Sequence, residues 1–299
     1  MQFTRPTTDE FGDPIPSDTE LNDGRVFKKS GNPIYPLPND KSEYIRLNTQ
    51  HYLLRYQLQC NYLSPVTNDL ERGIKVLDVG CGTGIWSIDL AREFPNSTFI
   101  GTDIIDIFAN ETSTIPPNCS FLKADTFKGL PFPDGSFDFV FQRAQSMCFT
   151  AEMWPRVLRE IVRVTKPGGY IELLEGSFPR NGGPATTRQV DWLLTFSCFR
   201  GVNDQFMSDP SVLSEAGIQN VVTATDMWRL GWDPDHALGE ALAKNYVTVS
   251  RATRPLITAA LGIGNDEYEE TVQEIEEELS YRNNENRATM YIWRHYGRK

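Results

Sequence analysis

Between positions 72 and 176, short apolar runs alternate with stretches of helical period. Val76, Leu77 and Val79 form a run with β propensity that stops at Gly80, Gly82 and Gly84, where the backbone is free to turn tightly and approach a ligand. Ile85, Ile88, Ala91 and Phe94 then recur at three-residue steps until Pro95 ends a helix. Residues 97–102 and 120–124 read as the second and third strands, with a proline-bearing connection over 112–118 between them. The turn Pro133-Asp134-Gly135 leads into a fourth strand over 137–141. Residues 154–165 form a helix carrying Val157, Leu158, Ile161, Val162 and Val164, and Lys166-Pro167-Gly168-Gly169 separates it from a fifth strand over 170–174. Residues 144–149 either line a substrate mouth or begin that helix. The alternation builds βαβ units, which a right-handed crossover winds into a mostly parallel sheet.

The flanks follow other patterns. Residues 1–40 carry six prolines and many acids, so they predict an extended arm, anchored on the body through Val26, Phe27, Ile34, Tyr35 and Leu37. Residues 41–63 read as an amphipathic helix with Tyr44, Leu47, His51, Leu54 or Arg55, and Leu58 on one face. Beyond Gly176, residues 185–200 make a helix rich in Trp192, Leu193, Leu194, Phe196 and Phe199, either a cover for substrate or plain core. A capped helix follows over 208–217, an alternating strand over 219–230, and a long helix over 234–261 broken near Pro255. Residues 265–281 hold eight acids and no base, yet Tyr268, Val272, Ile275 and Leu279 keep helical spacing, which predicts a helix with a solvated outer face. A closing strand covers 289–293. The organisation expected is an arm (1–40), a cap helix (41–70) and a body (71–299), with helical insertions at about 181–206 and 234–285.

Composition narrows the function classes. A chain of 299 residues with 39% apolar content buries a core large enough for one elaborated domain. A net charge of −11 argues against nucleic acid and anionic membrane as partners. No charged-then-apolar leader opens the first thirty residues and no uncharged stretch reaches bilayer length, so an intracellular protein, cytoplasmic or nuclear, is expected. Five cysteines, odd in number and without a C-x-x-C pair, suit reduced thiols and no metal site. His51, His236 and His295 are the only histidines, which restricts base-dependent chemistry.

The glycine loop suits two ligand classes. A dinucleotide fingerprint requires a small residue where this chain has Ile85, and its third glycine comes one position early. Acids gather instead: Asp78 lies in the strand end, and Asp103 and Asp125 end the next two apolar runs. Carboxylates suit ribose hydroxyls, an amino group and a sulfonium better than a pyrophosphate.

The motifs VLDVGCGTG, FIGTD, FLKAD, FDFVFQ and KPGGYIELLE, in that order and spacing, resemble the class I S-adenosylmethionine-dependent methyltransferases over residues 72–176. The resemblance implies an α/β fold: a Rossmann-like, doubly wound, seven-stranded, mostly parallel sheet with an antiparallel closing strand and helical additions. It implies that S-adenosylmethionine is held by the strand end and loop (Asp78, Gly80, Gly82, Gly84), with its ribose on Asp103 and its adenine between Ile104 and the edge offered by Asp125 and Thr126. It also implies that the main chain at Gln142 holds its amino group. A narrower resemblance, to the fungal LaeA-like branch associated with secondary metabolism, rests on YPLPNDKSEYIRLNTQH, the preceding GRVF and the terminal YGRK. Members usually carry Asp where this chain has Asn48. It implies a helix over the cofactor mouth, so that Tyr44, Arg46 and His51 either touch the methionine end or substrate, or are ordinary packing residues.

In-line methyl transfer mainly needs an acceptor held close and aligned, with water kept out. A carboxylate, phenolate or thiolate requires no base, whereas an alcohol or amine does, and His51 and Glu175 are the candidates, each with an equally plain structural role. The aromatic segment 192–199 predicts a small and fairly apolar acceptor. The stretch Phe141-Gln142-Arg143-Ala144 lacks the tetrad of amide and nucleobase N-methyltransferases. Two alternatives stay open: a protein methyltransferase, and a cofactor-binding regulator acting through protein partners that dock on the arm or the acidic helix.

Overall fold

The computed structural model describes residues 19–22, 24–28, 34–106, 115–203, 205–281 and 285–299. Of the expected arm, residues 1–18, 23 and 29–33 lie outside the described residues, as do 112–114 of the connection. The strands are β1 (Thr19–Asn22), β2 (Arg25–Lys28), β3 (Lys75–Val79), β4 (Thr98–Asp103), β5 (Cys119–Lys123), β6 (Phe137–Arg143), β7 (Thr165–Gly176), β8 (Gln219–Arg229) and β9 (Thr289–Arg298). The helices are α1 (Lys41–Leu58), α2 (Thr67–Arg72), α3 (Ile85–Glu93), α4 (Trp154–Val164), α5 (Pro184–Phe199), α6 (Ser211–Glu215), α7 (His236–Leu261) and α8 (Asn265–Glu278).

Seven strands form one sheet in the order β5-β4-β3-β6-β7-β9-β8. The first five are parallel, and β9 inserts antiparallel between β7 and β8. Winding reverses between β3 and β6, so the ligand crevice of a doubly wound sheet is expected outside their carboxyl ends. Both faces are covered, which is why β3 reads as a continuous apolar run rather than an alternating one. On one face Trp86 of α3 stacks on Phe141 of β6 at 4.0 Å, in a core that extends through Tyr246, Tyr268, Val272 and Ile275 of α7 and α8. On the other, Leu77, Val79 and Val140 meet Val157, Leu158, Ile161 and Val164 of α4. Each such side chain contributes roughly 1.5–3 kcal/mol on burial.

The structure departs from the periodicity at several points. The front helix ends at Leu58, five residues short of the expected end, where Gln59 turns left-handed at φ 53. Its buried positions are Glu43, Arg46, His51 and Leu54, so three of four are polar, and it is not amphipathic in the ordinary sense. Pro255 does not break α7, which runs through it. The expected helix over 208–217 is only the five-residue α6, preceded by a 3-10 turn at Phe206–Ser208. The arm contains a hairpin of β1 and β2, and Asp40 clamps it to α1. That carboxylate accepts two bonds from Arg25 at 2.7 and 2.8 Å and also caps α1 by accepting from the Glu43 N–H at 3.0 Å.

As the spacing predicts, α8 turns Tyr268, Val272, Ile275 and Leu279 inward. Half of its acids are engaged within the chain: Glu269 and Glu276 pair with Arg251, and Glu274 with Arg188. Glu278 accepts from the Ala185 and Thr186 N–H groups and thereby caps α5. No helix among the described residues is long and apolar enough to cross a membrane.

Candidate active site

A cavity of about 370 Å³ opens at the carboxyl ends of β3, β4, β5 and β6. Its floor is the glycine loop. The Gly80 and Cys81 N–H groups donate to the Thr102 carbonyl at 2.7 and 2.9 Å, tying the loop to β4. Gly80, Gly82 and Gly84 all have positive φ, at 69°, 56° and 78°, a conformation costly for any residue with a Cβ. At the end of β4, Asp103 accepts from the Gly82 N–H at 2.9 Å through one oxygen and from the Ile105 N–H at 3.0 Å through the other. Its carboxyl is raised above the ordinary range by burial, against the pull of those backbone donors. At the end of β5, Asp125 holds the following turn by accepting from the Phe127 N–H at 3.0 Å, and Lys128 Nζ lies 3.2 Å from its other oxygen.

Six residues singled out from sequence therefore stand at this wall: Gly80, Gly82, Asp103, Ile104, Asp125 and Thr126. Three others stand behind it. Asp78 is buried, accepts from the Ser87 hydroxyl at 2.9 Å, and is pushed up to about 6 chiefly by burial. The side chain of Gln142 is fully buried, and neither its amide oxygen nor its nitrogen has a hydrogen-bond partner. Gly84 makes room for protein rather than ligand, since a Cβ there would lie 2.4 Å from the Phe121 ring of β5.

The roof comes from the front of the chain. Leu47 and Gln50 of α1 line the cavity together with Ile34 and Tyr35. Asn48 accepts from the Thr83 hydroxyl at 2.6 Å, so the position where the resembling branch carries Asp grips the glycine loop through an oxygen that either residue supplies. Tyr44 and Arg46 are not in the wall: Tyr44 donates to the Asn39 carbonyl at 3.2 Å, and the Arg46 guanidinium is held in the interior by Glu43 at 2.7 and 2.8 Å.

Neither candidate base lines the cavity. The imidazole of His51 lies between Asp89 and Arg143, at 3.0 Å from each. Glu175 is fully buried at the end of β7 and accepts from the Gln145 and Ser146 N–H groups at 2.9 and 2.8 Å, while burial pushes its carboxyl up to about 7. It fixes the turn after β6, and through that turn Gln145, whose amide sits where a Cβ on Gly80 would fall. Residues 144–149 do not begin a helix; Ala144, Gln145, Cys148 and Phe149 line the cavity, with Met153 just before α4.

The aromatic segment of α5 does not line the cavity, and its inward side is core while Leu194 and Phe199 are exposed. Trp192 stacks on Tyr268 of α8 at 5.4 Å, and Leu193 and Phe196 are buried behind it. The apolar wall instead comes from Ile34, Tyr35, Ile105, Phe127, Phe149 and Met153, residues scattered over four segments and without a shared sequence signal.

Residues 76–169 match a family model described as a methyltransferase domain. Over 172 residues the chain is 31% identical to the secondary metabolism regulator LAE1 of Cochliobolus heterostrophus, covering 55% of this chain and 53% of that protein. Over 158 residues it is 33% identical to the methyltransferase pytC of Aspergillus terreus, covering 52% and 46%. Among solved structures, phosphoethanolamine N-methyltransferase 2 of Haemonchus contortus aligns at 15% identity and a TM-score of 0.45, over 84% of this chain and 58% of that one. The chain spans about half the length of the curated relatives it matches. Residues 76–169 thus match a methyltransferase domain, within a chain that resembles the fungal LaeA-like branch.

Proposed function

We propose that the protein is an S-adenosylmethionine-dependent methyltransferase and that the cavity holds donor and acceptor together. The observation that carries this reading is the pairing of Asp103 with the Gly82 N–H at the switch point of the sheet, which sets a carboxylate and an open glycine backbone side by side in one wall. A Cβ on Gly82 would meet nothing nearer than a Leu47 methyl at 3.9 Å, so the loop faces open space there. Acids at the ends of β4 and β5 fit the hydroxyls and amine of a nucleoside. Ile85 projects where a pyrophosphate-binding loop needs a small residue.

In this assignment Asp103 takes the ribose, Ile104 and Thr126 enclose the adenine with Asp125 at its edge, and Gly80 and Gly82 face the amino-acid end. The donor supplies an activated methyl on a sulfonium. The protein aligns the acceptor and excludes water with its apolar wall. Asp103 and Asp125 are committed to backbone donors, and His51 and Glu175 lie behind the wall, so no free base faces the acceptor among the described residues. The acceptor is therefore a small, fairly apolar molecule whose nucleophile needs no deprotonation by the enzyme, such as a carboxylate, phenolate or thiolate.

Transfer of label from methyl-labelled donor to a panel of such acids, phenols and thiols, set against matched alcohols and amines, tests the acceptor class. Titration with S-adenosylhomocysteine and with a nicotinamide dinucleotide tests the site. Binding of the dinucleotide alone overturns the reading, and transfer confined to a protein acceptor overturns the small-molecule part.

A further inference from the structure

Arg143 ends β6 in the cavity wall beside the glycine loop, and its setting is unusual for a half-buried cation. Its Nη1 donates to His51 Nδ1 at 3.0 Å, and no carboxylate among the described residues stands within ion-pair distance of it. Burial works against its charge, while Asp78, whose own hydrogen bond comes from Ser87, and Asp89 favour it through space. A guanidinium has five N–H donors and no acceptor, so the geometry fixes the chemistry of its neighbour. His51 accepts at Nδ1, which makes it the neutral tautomer with its proton on Nε2, donating to Asp89 at 3.0 Å. Burial lowers the pKa of His51 and so favours the same neutral form. Asp89 is anchored in turn by Arg55 of α1 at 2.9 Å. The result is a relay from the wall, through the inward face of α1, to α3. A charged group with uncommitted donors, aimed by a relay into a cavity, is a receptor for an anion.

We infer that Arg143 receives the α-carboxylate of the donor's methionine moiety, and that His51 and Asp89 are positioning residues that aim it. The inference rests on the methyltransferase reading and deepens it. The carboxylate is chosen over an acceptor's anion because Gln142 pairs with Val79 on the neighbouring strand, which sets Arg143 level with Gly80 at the start of the loop that faces the amino-acid end. The arrangement also explains why α1 carries a buried histidine: docking of the cap helix and orientation of the guanidinium are one event.

The test compares two sulfonium ligands that differ only in this group, S-adenosylmethionine and its decarboxylated analogue, by calorimetric titration of the full chain. The wild type is expected to prefer the carboxylated ligand by roughly 10- to 100-fold, as for a charge-assisted pair. Arg143→Gln brings that ratio towards one while leaving affinity for the decarboxylated ligand as in wild type. His51→Leu lowers the ratio in the same direction, and His51→Asn, whose Oδ1 takes the place of Nδ1, restores part of it. Equal affinities in the wild type overturn the inference even where a variant fails to fold. Equal weakening of both ligands by Arg143→Gln also overturns it, since that is the mark of a merely structural role. A wild type that binds neither ligand overturns the methyltransferase reading itself.

Discussion

Replacing Asp103 with Asn changes almost no volume and isolates what the charge does. The two oxygens of the wild-type carboxylate accept from different backbone groups, Gly82 N–H at 2.9 Å and Ile105 N–H at 3.0 Å. An amide keeps one oxygen and turns its NH₂ towards the other donor, whichever rotamer it takes. Losing one charge-assisted bond costs about 1.5–3 kcal/mol. Relief of the buried charge, which raises this carboxyl in the native state, offsets part of that. The expected net destabilisation is about 1 kcal/mol, a shift of a few degrees in Tm for a chain of this size. Ligand affinity should fall further than stability, because the charge is lost at the carboxylate assigned to the ribose. About 1–3 kcal/mol, or roughly 5- to 150-fold in Kd, is expected for S-adenosylhomocysteine. Calorimetric titration beside a thermal melt reads both quantities. Asp138→Asn serves as the control, since Asp138 also accepts from a backbone N–H, that of Lys75 at 2.9 Å, but at the opposite end of the sheet. The reasoning is refuted if Asp103→Asn binds as tightly as wild type while the melt shifts, for then the carboxylate holds a loop and touches no ligand.

Other perturbations probe the supports of the site. Gly101→Ala drives a Cβ to 2.6 Å from the Phe121 ring and 2.9 Å from Cys81 Sγ, an overpacking worth about 1–3 kcal/mol; adding Phe121→Leu should recover part of it in urea unfolding, and strict additivity would show that the ring is not the obstacle. Gly80→Val places a β-branched residue at φ 69 against the Gln145 amide and should abolish ligand binding, so a wild-type Kd there would remove the loop from the site. Glu175, with a native pKa of about 7 against an ordinary 4.5, keeps a proton that the unfolded chain releases, so its contribution to stability is lost as pH rises from 4.5 to about 7, by up to about 3 kcal/mol. Unfolding measured across that window should show a shallower fall for Glu175→Gln than for wild type; parallel profiles would mean that the carboxylate is ionised throughout. His51, whose pKa is lowered by burial, acts in the opposite sense, and its contribution is lost as pH falls from the ordinary histidine value of 6.5 through its lower native value.

What was legible in the sequence follows from how local each cause is. The glycine loop, the strand ends at Asp103 and Asp125, and the inward stripe of α8 are written in consecutive residues, because strand period, left-handed turns and helical spacing act over a few positions. The inward face of α1 was not legible in that way. Glu43 and Arg46 satisfy each other at one turn's distance, which a hydropathy pattern counts as two surface charges. His51 finds its partners 38 and 92 residues away, where no spacing rule reaches. Glu175 binds main-chain N–H groups, which have no side-chain signature, and so its place at a strand end suggested a base where the fold needed an acceptor. The aromatic run of α5 misled for the reverse reason, since its composition suits a pocket or a core equally well and only the presence of Tyr268 opposite it decides.

The same distinction separates the two halves of the site. The floor is built by the sheet, from residues whose backbone conformation shapes the cavity, so a change there acts through φ, Cβ clearance and N–H direction. The roof is built by side chains that cross from α1 to the loop and to β6: Asn48 to Thr83, His51 to Arg143, and Leu47 over Gly82. Cap contacts of this kind are coupled, because each requires α1 to be docked, and the docking depends on Asp40 holding Arg25 and the first turn of the helix. Asp40→Ala, some distance from the cavity and outside its wall, should therefore weaken binding of S-adenosylhomocysteine along with the cap, at an expected cost of about 1–3 kcal/mol in stability. If titration of that variant gives the wild-type Kd while amide exchange shows α1 loosened, the roof is not part of the binding site, and the floor alone holds the ligand.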